Sequence, residues 1–173
     1  MAEEQKTEPW LRGTLNETPS VIRAVLHALE LAREDVDRWC SDLSDAEINA
    51  KPSGLAPVAF QLRHIARSLD RLLTYADGRM LDGAQLDSLR SEMEGGGAAM
   101  VVLEEFRSGI DSAMKRVATF VGADLEEARA VGKRKLPTSL GGLLVHVADH
   151  TQRHVGQAIT TSKVVLAQRN APS

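Results

Sequence analysis

Apolar side chains recur along this chain at helical spacing. Ile22, Val25, Leu26, Leu29, Ala32, Val36 and Trp39 return every three to four residues, with Glu30, Arg33, Glu34 and Asp37 mostly facing outward. This is an amphipathic helix. Thr18-Pro19-Ser20 precedes it, with Thr18 expected to cap and Pro19 to occupy the first turn, where a missing N–H costs little. Residues 1–17 show no such period and are expected to form an arm. Ser44 and Glu47 stand at capping-box spacing and predict a short helix, which Lys51-Pro52-Ser53-Gly54 ends. Pro57 opens the next helix, over 57–75. Across 77–97 the period weakens to turns and a short helix near 85–92, broken by Gly95-Gly96-Gly97. A third long helix is predicted over 98–121, with Val102, Leu103, Phe106, Ile110, Met114, Val117 and Phe120 as its stripe and Gly122 as its stop. The basic run Lys133-Arg134-Lys135 reads as part of a solvated loop. Thr138 or Ser139 then caps a fourth long helix reaching about residue 167. Four long helices, no convincing strand and no repeat of solenoid length predict an all-α four-helix bundle whose order in space stays open.

Composition narrows the partners. At 173 residues and 43% hydrophobic the chain can bury one core, so a single domain is expected over 18–168, with a tail at 169–173. A net charge of −3 and six aromatic side chains argue against a general nucleic-acid surface. No run approaches a membrane span, and the opening MAEEQKTEPW lacks the basic start and apolar stretch of a secretory signal. Cys40 is the single cysteine, which excludes an internal disulfide and any multi-cysteine zinc site. A cytoplasmic location is the expectation.

The chemistry concentrates in histidine. His146, His150 and His154 stand at successive intervals of four on the fourth long helix, and residues four apart lie one turn along the same face. At about 100° per residue, Leu140, Leu143, Val147, His150, His154 and Ala158 form one core-facing line and His146 lies on its flank. Two imidazoles there either bind one metal ion or sit on a partly wet face bonded to buried polar groups. A zincin mechanism is excluded, because Val147 and Thr151 stand where its general base must follow the first histidine. A catalytic ion needs a third ligand, and His64 and His27 are the remaining imidazoles. His64 shares a face with Phe60, Gln61, Ser68 and Tyr75, nearly opposite Val58, Leu62, Ile65, Leu69 and Leu73. That placement permits a helix covered on two sides, one lining a polar pocket and the other meeting a neighbouring helix or a second subunit. His27 reads as a surface histidine.

The segments LRHIARSLDRLLTY and LLVHVADHTQRHVGQ resemble the DinB-like superfamily, including its YfiT-like metalloenzymes, over about 18–167. The resemblance implies a four-helix bundle holding a metal through His64 from the second long helix and His150 and His154 from the last. Gly156-Gln157 matches the family pattern. Val155 departs from it, standing where the family often has Arg, and His146 matches a family histidine that is usually not a ligand. Neutral imidazoles suit zinc, nickel, iron or cobalt.

The superfamily includes thiol-dependent S-transferases and a thiol-dependent isomerase. The resemblance therefore implies a small-molecule substrate and a low-molecular-weight thiol activated at the metal, with hydrolysis by activated water as the neighbouring chemistry. A non-catalytic metal-stabilised module, stress-associated or in an interaction role, is the alternative. The two-sided second helix and the resemblance together admit a homodimer. Gln61, Ser68 and Tyr75 are candidate pocket residues, and Arg67 or Arg71 could receive an acidic cofactor; the plainer reading closes the helix end with Tyr75 and leaves the arginines solvated. Asp149 reads as an exposed helix residue, and Cys40 as no nucleophile.

Overall fold

The computed structural model describes residues 7–92 and 96–169, so the arm's residues 1–6 and the tail's residues 170–173 lie outside it. Four long helices form: α1 (Ser20–Cys40), α3 (Val58–Ala76), α5 (Ala99–Ala118) and α6 (Leu140–Arg169), with short α2 (Asp45–Ile48) and α4 (Gly83–Arg90) in the connections. Helix α2 opens on the predicted capping box, Ser44 and Glu47 each satisfying the other's backbone. Helix α4 opens on a second one, made by Asp82 and Gln85. The cap predicted for α1 does not form. Pro19, extended and without a side-chain acceptor, is its N-cap residue. Helix α5 ends at Ala118, short of the predicted 121, and Gly122 follows at φ +84°.

Side-chain contacts set the helix order. Helix α1 lies parallel to α6, where Gln152 Nε2 donates to the Ala28 carbonyl and Ser162 Oγ to that of Trp39. It lies antiparallel to α5, where Arg33 meets Asp111 and Arg107 meets Asp37. Helix α3 runs antiparallel to α6 and parallel to α5, with Arg63 and Arg67 both on Glu105 and Arg116 on Asp70. Around the bundle the order is therefore α1, α6, α3, α5. Leu29, Leu62, Phe106, Ile110, Leu140 and Leu144 are among the fully buried side chains at its centre. Both sides of α3 are covered within one chain, so its two-faced pattern is met without a second subunit.

Two expectations are corrected. The stretch before α6 is a small antiparallel hairpin, β1 (Ala128–Val131) and β2 (Leu136–Ser139), with the basic run at its turn. Four-residue strands are too short to show a period in sequence. Strand β2 runs straight into α6, whose first turn Ser139 caps by accepting from the Gly142 N–H. The hairpin is tied to α3 by Arg129, which donates through Nε to the Ala76 carbonyl at 2.7 Å.

His27 is the second correction: it is buried, not at the surface. The segment ahead of α1 folds back over it, forming a 3-10 turn at Pro9–Leu11 and holding its place by ion pairs from Arg12 to Glu30 and Glu34. Thr14 Oγ1 then meets His27 Nε2 at 3.0 Å. That imidazole is a satisfied structural group.

Candidate metal centre

Helices α3 and α6 bring three imidazoles together. One ring nitrogen from each of His64, His150 and His154 lies within 4.8 Å of the others, in a half-buried setting. Because the two helices run antiparallel, His64 faces His150 while Gln61, one turn earlier, faces His154 one turn later. The core line on α6 is rotated from the wheel's expectation: Leu143, Val147, Thr151, Val155 and Ala158 are buried, and His150 and His154 flank them. The histidines thus stand at the edge of the core, where a ligand can reach them.

Hydrogen bonds fix which nitrogen each ring presents. Glu92 Oε2 lies 2.9 Å from His64 Nδ1, and Gln61 Oε1 lies 2.6 Å from His154 Nδ1. Ser68 Oγ gives its own proton to the Ile65 carbonyl, leaving its oxygen to accept from His150 Nδ1 at 3.4 Å. With every Nδ1 facing an acceptor, the neutral rings carry their lone pairs on Nε2. His64 Nε2 and His150 Nε2 face each other at 3.2 Å, a pairing of two acceptors that makes chemical sense when a shared cation sits against both. The donor set fits a divalent transition ion.

The electrostatics agree. Burial, then the neighbouring His154 and His64, pushes His150 down to about 4, and burial followed by His64 lowers His154 as well. Both rings are neutral near pH 7, the state that ligates a metal. Burial works to raise Glu92, but hydrogen bonds from His64 and Arg71 outweigh it and hold the carboxyl below its ordinary value.

Glu92 is the functional residue that sequence reasoning missed. It comes from the connector after α4, is buried, and joins His64 on one oxygen to Arg71 on the other at 2.7 Å. Arg71 is correspondingly not a solvated helix residue; it is buried and committed to Glu92. Arg67, partly buried, pairs with Glu105. Of the candidate pocket residues, Gln61 and Ser68 reach the histidines, whereas Tyr75 is packed into the hydrophobic core. Phe60 stacks on His64 with ring centres 5.7 Å apart.

The remaining side chains match their plainer readings. His146 is half-exposed beside Asp149 and outside the three-histidine group, and Asp149 is exposed and paired with Arg153. Val155 packs in the core, and Gly156 and Gln157 lie on the outer face of α6. Burial pushes the Cys40 thiol up to about 12, which removes it as a nucleophile. Among the described residues no helix is long and apolar enough to cross a membrane.

A family model described as the DinB superfamily matches residues 28–158, well over half of the chain and including all three histidines. No curated protein and no solved structure matches.

Proposed function

The chain belongs to the DinB superfamily, and on that premise we propose that it is a metal-dependent enzyme whose ion is held by His64, His150 and His154. The reaction class is thiol S-transfer or hydrolysis on a small-molecule substrate. One observation carries the reading: each Nδ1 faces an acceptor, which leaves the Nε2 lone pairs free, and one ring nitrogen from each histidine lies within 4.8 Å of the others. A zinc, nickel, iron or cobalt ion there would supply Lewis acidity, lowering the pKa of a coordinated water or thiol.

The chain's own residues do the rest. Glu92, Ser68 and Gln61 orient the imidazoles and select their tautomers, and Arg71 keeps Glu92 ionised. Among the described residues the donor group comprises three side chains only, which leaves coordination positions for substrate. Cys40 is sealed in the core, so a reacting thiol is a low-molecular-weight one from solution. The second reading, a non-catalytic metal-stabilised module, is favoured by one feature: the ligands come from two helices, so an ion would clamp α3 to α6.

Metal analysis of untagged protein tests the site. The wild type is expected to carry about one ion per chain and His154→Ala essentially none; equal, negligible metal in both would overturn the centre. Conjugation of cellular thiols to an activated aryl halide, or ester hydrolysis, lost in His154→Ala, supports the enzyme. Bound metal with neither activity supports the structural module.

A further inference from the structure

An apolar chamber lies beside His64. It has a volume of about 430 Å³ and lies between the loop ahead of α3 and the connector that carries Glu92, with Leu55, Pro57, Ala59 and Phe60 among its walls. That volume is within the range of small-molecule sites. Two of its walls touch His64 directly: Phe60 stacks on the ring, and Glu92 bonds to its Nδ1.

The charges lining this chamber are unequally committed. Arg63 is engaged by Glu105 and by the Gly96 carbonyl. Glu92 is neutralised between His64 and Arg71. Lys51, exposed on the loop wall, makes no ion pair with any described residue. One ammonium unpaired among the described residues, beside apolar walls, selects a molecule with an apolar body and a single anionic group. Arg63, whose guanidinium would favour a doubly charged phosphate, is already engaged through Nε and Nη1 by Glu105 and Gly96.

We propose that this chamber is the substrate site of the histidine centre and binds a monocarboxylate with a ring-sized apolar body, its carboxylate on Lys51 and its body on Phe60. The proposal rests on the metal-centre reading above. It makes Lys51 and Phe60 specificity-determining residues.

The test uses 2-naphthoate and its neutral analogue 2-naphthalenemethanol, titrated by fluorescence into the full chain. Wild type is expected to prefer the carboxylate by about fivefold or more, and Lys51→Met, an exposed change, to lose that preference while keeping its metal content. Phe60→Ala is expected to weaken both probes by about tenfold. In cobalt-loaded protein, 2-naphthoate is expected to shift the visible spectrum, because its site borders His64. Equal binding of the two probes to wild type, a preference retained in Lys51→Met, or an unshifted cobalt spectrum would each overturn the proposal. A chain that takes up no metal yet keeps the Lys51-dependent preference would overturn the metal reading and leave the monocarboxylate site standing.

Discussion

Helix α3 has two seams, and they differ at their centres. Toward α5 the backbones close up: a Cβ placed on Gly109 would stand 2.8 Å from Ala66 Cβ and 2.9 Å from its Cα, so only glycine fits. Toward α6 the same helix presents Gln61, His64 and Ser68, and the gap is filled by hydrogen-bonded side chains from both helices. The first seam gains dispersion from close contact. The second accepts polar groups at the edge of the core and satisfies them locally, although the buried Thr151 hydroxyl has no partner among the described residues. A helix can thus carry packing on one side and chemistry on the other, provided that each side finds its own partners.

Metal should act on the polar seam alone. With free ion at about 1,000 times its Kd, linkage raises stability by about 4 kcal/mol, read as a higher melting temperature that chelator reverses and that His154→Ala lacks. Gly109→Ala is the matching disturbance of the close-packed seam, expected to cost about 2 kcal/mol in urea unfolding by overpacking. Its metal affinity should be unchanged; a loss would mean that the seams are mechanically coupled. Glu92→Gln sharpens the comparison from the other side. Gln can still accept from His64 Nδ1 but brings no charge, so metal affinity is expected to fall about tenfold, or ~1.4 kcal/mol, in competition with a chromophoric chelator. Full affinity in that variant would reduce Glu92 to a spacer. The smallest effect belongs to Gly156→Ala. Nothing lies within 4 Å of the added Cβ on the outer face of α6, and the protein should gain about 0.5–1 kcal/mol with unaltered metal binding. Weakened metal binding there would give the Gly-Gln pair a part in the site.

The sequence made parts of this arrangement legible, and the limits have physical causes. His150 and His154 could be paired because i,i+4 spacing survives any helix environment. Their wheel line ran one flank away from the buried one, since periodicity identifies a stripe but not how neighbouring helices rotate it; Thr151 and Val155 took the core positions instead. His64 joined them only through the family resemblance. Glu92 carried no signal of its own, because it sits at the end of a weakly periodic connector and its role depends on where the bundle brings that connector. His27 was misplaced for a related reason: the segment that buries it has no apolar period, and Arg12 secures it by charge.

The hairpin before α6 gives the metal seam a direction. Arg129 pins β1 to the last residue of α3, and β2 passes without a break into α6, so these two helices are stapled at one end. From that staple the contacts run outward, first Ser68 with His150, then His64, then Gln61 with His154, and last Thr161 on the Ala56 carbonyl. The seam is therefore tied at both ends, by Arg129 at the hairpin and by Thr161 at the far end, with the three histidines between the ties. Removal of the ion should then lower amide-hydrogen protection along α6 most around His150 and His154, between the two ties.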